Sequence, residues 1–267
     1  MSDLAAPLAV QPATGRRRSP ISDALTMSAR CVRLSRRQLD ALLVMLMLPI
    51  MLMLLFVYLF GGAIQTGTTY VTYVVPGILI ICAAFGSSTT AVTVAQDMRG
   101  GIIERFRSMD IGGPAAIGGH VVANVVRNAV STVLVLGVGY LVGFRPHASG
   151  LAWVGAAGMM LLFVFAFSWL SAAIGLLAGS PEAANGFGFF LMFLPYPSSA
   201  FVPVATMPGW IHGFADNQPI TPVVETLRGL LLGQPVGNHA WAAVAWCAGI
   251  TVASVAASAV LFRRRSS

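Results

Sequence analysis

The chain has 267 residues, of which 57% are apolar and 9% charged, with a net charge of +7 and a mean hydropathy of +0.80. A soluble domain carries about 25% charged residues, and a core of this size cannot hide so much apolar surface. The composition excludes a soluble globular enzyme, a disordered chain and a nucleic-acid-binding domain, and leaves an all-α integral membrane protein with several spans.

Residues 1–18, with Pro, Ala, Ser and the triplet Arg16, Arg17 and Arg18, read as a mobile cytoplasmic tail. Ser19-Pro20 suits a helix start. From there to residue 40 the heptad-spaced Leu25, Val32 and Leu39 oppose Arg30, Arg33 and Arg37, the pattern of an amphipathic helix lying in the membrane interface. A transmembrane domain over 41–264 follows. Roughly 20 apolar residues cross a bilayer as helix, and six runs qualify: about 41–64, 70–95, 117–144, 151–178, 183–204 and 240–262. The runs are continuous rather than alternating, so they are helices and not barrel strands. Pro49 and Pro76 fall inside the first two; each either kinks its helix or, for 70–76, marks a stretch that is still extended. The connection 205–239 is long and patterned. It predicts short helices at the outer surface between spans five and six, one of them over 221–232 with Glu225 and Arg228 three apart and able to pair. Trp210 and Trp241 suit an aromatic belt.

All sixteen basic residues are arginines. Without a lysine the chain cannot supply a P-loop lysine, so any nucleotide hydrolysis falls to another polypeptide. Thirteen of the arginines flank the first span, the connection between spans two and three, or the last span; Arg145 and Arg228 lie in the opposite loops, and Arg127 is within span three. The positive-inside rule then places both termini and the 2–3 connection in the cytoplasm. Cys31, Cys82 and Cys247 lack metal or redox spacing, and the four histidines form no ligand motif.

That 2–3 connection is the most informative stretch. Beyond Gly101, Ile102, Ile103, Phe106 and Met109 fall on one side at helical spacing, with Glu104, Arg105 and Arg107 on the other. Arginine and aromatic side chains commonly anchor protein contacts. The pattern alone fits a grip for a soluble partner and equally a surface helix that stabilises a turn.

The stretch resembles the first cytoplasmic loop of ABC-2 type permeases of the daunorubicin-resistance (DrrB-like) branch, through Asp97, Arg99, Gly101, Glu104, Arg105, Phe106, Arg107, Ser108 and Met109. A second similarity is Asn217-Gln218-Pro219-Ile220-Thr221-Pro222 with Leu227-Arg228. It covers about residues 20–265. One departure is Asp110 where the family commonly has Pro, with Pro114 later. The resemblance implies that the loop is a cytoplasmic coupling helix seated on a separate P-loop ATPase subunit, which holds the ATP and Mg. By the same resemblance this chain is expected to bind no cofactor of its own. It also implies a pair of permeases, identical or paralogous, in the cell's inner (plasma) membrane, exporting a hydrophobic or amphipathic drug, natural product or lipid.

Span three carries His120, Asn124, Arg127, Asn128 and Ser131 on one helical face. A charge at mid-span costs about 2.5–3.5 kcal/mol on insertion scales, less near an end. Asn124, Arg127, Asn128 and Ser131 are candidate pathway residues, the polar wall of an inward-facing cavity. The alternative is a hydrogen-bonded seam between helices, with Arg127 snorkelling. Gly86 to Thr90, Thr93, Ser168, Ser171 and Gly175 read as packing positions. A secondary transporter or channel would favour ionisable groups deep in several spans, and spans one, two, four and six hold none. An intramembrane serine protease would need an activated serine, and no motif for one is present.

Overall fold

The computed structural model describes residues 39–64, 66–100 and 113–266. The expected tail over 1–18, nearly all of the interfacial helix and residues 101–109 of the coupling helix lie outside the described residues. Among the described residues eight α-helices follow one another: α1 (Leu39–Leu55), α2 (Tyr70–Arg99), α3 (Gly113–Val142), α4 (Gly150–Leu177), α5 (Pro181–Phe193), α6 (Gly209–Asn217), α7 (Ile220–Leu232) and α8 (His239–Ser266). No strand occurs among the described residues. Apolar runs this long can satisfy every backbone group only within themselves, which is why they are helices.

Among the described residues four helices are long and apolar enough to cross a membrane: Tyr70–Arg99, Ile117–Val142, Gly150–Leu177 and His239–Leu261. The other two expected spans differ in form. The first is α1, which runs through Pro49 and ends in a π turn, Phe56–Phe60. The fifth is helical only as the 13-residue α5, after which the chain turns through residues 194–201. Pro195 and Pro197 remove two backbone donors there, and a helix cannot continue past them intact. Pro76 sits inside α2, which is helical from Tyr70 onward, so the extended alternative for 70–76 is not the one adopted. Ser149 and Ser180 cap α4 and α5 by accepting from the amides of Ala152 and Ala183, and Pro181 takes the first helical position of α5.

The long helix α2 is the axle of the bundle. α1, α3, α4 and α5 pack around it, and α8 packs on the far side of α4. Apolar surface gains nothing by leaving lipid for a helix interface, so close backbone approach and dispersion must hold these contacts. Two glycines make that approach possible. A Cβ on Gly175 of α4 would lie 2.4 Å from the Ala91 carbonyl oxygen of α2. One on Gly77 of α2 would lie 2.5 Å from the carbonyl oxygen of Ala200 in the 194–201 turn.

The expected cap of short helices is present as α6 and α7, but α7 does not rest on the surface. Ile220, Val223, Val224 and Leu227 are wholly buried, because α7 sinks into one end of the bundle against α2, α4 and α8. By contrast α3, α5 and α8 turn large apolar side chains outward, among them Leu141, Phe190 and Val252. Such continuous apolar surface is compatible with lipid and not with water. Trp210 and Trp241 are both exposed.

Candidate functional site

Three groups of polar side chains interrupt this apolar bundle. The first joins α2, α3 and α4 in the interior. Asn124 on α3 donates through Nδ2 to the Ser168 hydroxyl of α4 at 2.7 Å and to the Ser87 hydroxyl of α2 at 3.4 Å. Its Oδ1 accepts from the Arg127 guanidinium at 2.9 Å and from the Asn128 amide at 3.1 Å. Arg127 also donates to the Thr89 hydroxyl of α2 at 3.1 Å. Asn124, Asn128, Ser131, Ser87 and Ser168 are all fully buried, while Arg127 is half-buried. The face expected from spacing therefore exists, and three of its four candidate pathway residues are joined in one network. In this structure these side chains form a hydrogen-bonded seam between helices, and buried amides are satisfied this way because an unpaired one is costly in lipid.

The second group lies where α2 ends and α3 begins. His120 Nε2 meets Asp97 Oδ2 at 2.8 Å, tying the two helices that flank the 101–112 segment. Arg99 at the last turn of α2 faces Glu182 in the first turn of α5 at 3.8 Å, and both side chains are well exposed. Of the residues expected to engage an ATPase, Asp97 and Arg99 are described and stand at this end. Gly101, Glu104, Arg105, Phe106, Arg107 and Met109 lie outside the described residues.

The third group is at the opposite end and was only partly legible from sequence. Arg228 of α7 pairs with Glu225, as its spacing suggests. It also does what spacing does not announce. Its guanidinium lies 3.7 Å from the centre of the Tyr73 ring, donates to the Tyr73 carbonyl at 3.2 Å, and donates to the Ser199 carbonyl at 2.8 Å. An arginine counted as a loop charge is thus a buried rivet. The available signal was its setting among Leu227, Gly229, Leu230 and Leu231. The neighbouring Asn217–Pro222 run is the matching joint: Gln218 donates to the Pro197 carbonyl at 2.6 Å, and the Thr221 hydroxyl accepts from the Ser199 amide at 3.4 Å. Together they staple the elbow between α6 and α7 to the 194–201 turn. A polar pocket of about 440 Å³ opens beside it, lined by Tyr73, Asp216, Glu225, Arg228 and His239. A separate apolar cavity of about 300 Å³, bounded by Leu79, Val133, Trp153, Met160, Leu161 and Leu227, lies between α2, α3, α4 and α7.

Long apolar helices with lipid-compatible faces, held by buried polar seams, define a multi-pass helical membrane protein. The family profile described as ABC-2 type transporter matches residues 23–232. The chain is similar to the daunorubicin resistance ABC transporter permease protein DrrB1 of Streptomyces coeruleorubidus, with 30% identity over 219 residues, covering 81% of this chain and 77% of that protein. It is also similar to the probable doxorubicin resistance ABC transporter permease protein DrrC of Mycobacterium tuberculosis, at 24% identity over 226 residues, 83% of this chain and 81% of that protein. The doxorubicin resistance ABC transporter permease protein DrrB of the same organism is 25% identical over 159 residues, 59% of this chain and 55% of that protein. The chain therefore belongs to the ABC-2 type transporter family, as a DrrB-like permease.

Proposed function

We propose that the chain is the membrane subunit of an ATP-driven exporter that moves a hydrophobic or amphipathic compound out of the cell, with ATP hydrolysed by a separate cytoplasmic P-loop ATPase. The observation that carries this reading is the family match, which extends across the polar end where α2 and α3 meet. The curated relatives are named as permease proteins of ABC transporters, and a chain without lysine has no P-loop lysine of its own.

In this reading α1 and α5 complete six crossings, with both termini and the 101–112 segment in the cytoplasm of a cell whose inner (plasma) membrane holds the protein. The arginine distribution supports that orientation. Residues 101–109 seat on the ATPase as a coupling helix. Its apolar side is buried in the contact, and Glu104, Arg105 and Arg107 fix register and partner choice. The Asp97–His120 contact then stands where motion of that helix reaches both α2 and α3. A second permease, identical or paralogous, completes the pathway. Asn124, Arg127, Asn128 and Ser131 act on translocation through the packing of α3.

The test is gentle purification of the tagged chain from its own host. Co-isolation of a P-loop ATPase, followed by nucleotide-dependent transport of a hydrophobic compound by the reconstituted pair, is expected. Transport by the purified chain alone, with no nucleotide, overturns the reading.

A further inference from the structure

The polar seam is written twice along the helices, one turn apart. On α2, Ser87 is followed three residues later by Thr90, and Thr89 four later by Thr93; on α4, Ser168 is followed three later by Ser171; on α3, Asn124 is followed four later by Asn128. Among the described residues one copy is engaged across helices, while Thr93 and Asn128 of the other bond only within their own helices, to Thr89 and Asn124. Asn124 holds Ser87 and Ser168, and Arg127 holds Thr89. The second copy is buried but incomplete. Among the described residues the Thr90 hydroxyl, the Ser171 hydroxyl and the Asn128 carbonyl oxygen have no hydrogen-bond partner, although all three residues are at least 98% buried. Buried orphans of this kind are rare and call for an explanation.

We infer that α3 has two registers against α2 and α4, separated by one helical turn, and that the structure shows one of them. α2 and α4 both run toward the end that carries Arg99 and Glu182, while α3 runs away from it. Moving α3 toward that end by one turn, about 5.4 Å, brings Asn128 level with Ser87 and Ser168. It brings Asn124 level with Thr90 and Ser171, and Arg127 level with Thr93. Each orphan gains a partner and no engaged donor on α3 loses its class of acceptor. Packed elements move between discrete arrangements by such one-turn steps.

Three features fit. The backbone contact at Gly175 and Ala91 fixes α2 to α4 as a rigid pair. α3 is loosely held, with 28% of its most apolar stretch buried against 72% for α2 and 61% for α4. The step would carry His120 past Asp97, so their 2.8 Å contact is the latch of the register seen. The inference stands on this repeat of hydroxyls and amides and holds whether or not an ATPase drives the step.

The test is a distance measurement on the full chain in lipid nanodiscs, with Cys31, Cys82 and Cys247 replaced by alanine and spin labels at the exposed positions Val126 of α3 and Val154 of α4. Labelled chain is diluted in unlabelled chain so that only distances within one chain are read. Val154 lies near the start of α4, so the step lengthens the separation by about 5 Å. Opening the latch with His120→Ala, or with the volume-conserving Asp97→Asn, is expected to populate the longer distance. Adding Thr90→Val and Ser171→Ala, which remove hydroxyls used only in the second register, is expected to abolish it. These two substitutions alone are expected to melt no lower than the parent. A single short distance in both latch variants overturns the inference. So does a longer distance that survives loss of the two hydroxyls, or a lower melting point when they alone are removed.

Discussion

Arg228 stacks its guanidinium on the ring of Tyr73 and at the same time donates to that residue's own backbone carbonyl. One side chain of α7 thus holds both the face and the backbone of α2, and the Nη2 that reaches the Tyr73 carbonyl also donates to the Ser199 carbonyl in the turn that follows α5. Three segments far apart in sequence meet on one planar cation. A lysine has neither the flat face nor the fork of donors for this.

Replacing Arg228 should therefore be among the most damaging single changes in the chain. Arg228→Leu leaves Glu225 without its partner and takes one charged donor from each of two buried carbonyls, with an expected loss of about 3 kcal/mol or more. Arg228→Lys recovers only part of it. Tyr73→Phe keeps the ring and loses only the hydroxyl's 3.0 Å bond to the Ser199 carbonyl, at a cost of about 1 kcal/mol. Thermal unfolding in detergent should rank the three variants in that order.

The seam between α2, α3 and α4 depends on Asn124, which hydrogen-bonds to both neighbouring helices. Asn124→Leu strips partners from Arg127, Asn128, Ser87 and Ser168, and should cost roughly 2–3 kcal/mol as several buried groups lose their bonds. Arg127→Leu removes a half-buried cation whose main contacts are Thr89 and Asn124. Its folding should be nearly unchanged and its transport altered. A drop in melting temperature as large as that of Asn124→Leu would assign Arg127 to the scaffold instead.

Gly175 and Gly158 of α4 make a paired comparison. Gly175→Ala forces a methyl group against the Ala91 carbonyl and should destabilise by about 1–3 kcal/mol. Gly158→Ala, in the same helix, meets nothing within 4 Å. It should be neutral or slightly stabilising, since alanine is the better helix former. Melting temperatures of the two variants, compared with the parent, decide the matter.

Charge reversal in the 101–109 segment should separate assembly from insertion. Glu104→Arg or Arg105→Glu is expected to abolish pull-down of the ATPase while membrane insertion and yield remain normal. Pull-down at the parent's level would remove the coupling role from these residues.

Exposed charge at the same end predicts a contrast. Arg99 and Glu182 stand 3.8 Å apart with both side chains in solvent, and such pairs contribute little. Arg99→Ala should leave the melting temperature unchanged. His120→Ala should lower it, because the Asp97–His120 contact is closer and less exposed.

Much of the molecule was written in its sequence. Apolar length alone required helices, because lipid offers no partner for a free backbone amide. The spacing of Asn124, Arg127 and Asn128 required a polar face, and Glu225 three residues before Arg228 allowed the ion pair that forms. What sequence could not decide was what each face would meet. Polar spacing is the same for a cavity wall and for a seam, and it does not say that Asn124 will meet Ser87 and Ser168. The run 183–204 is uncharged and mostly apolar, so hydropathy carries it as one span, while Pro195 and Pro197 end the helix at Phe193. Arg228 looked like a loop charge because charge counting ignores depth. Its burial follows from the elbow at Gln218 and Thr221, which swings α7 into the bundle through contacts more than twenty residues away along the chain. Local pattern specifies an element and its faces; long-range contacts, set by where chain turns deliver each segment, specify what those faces become.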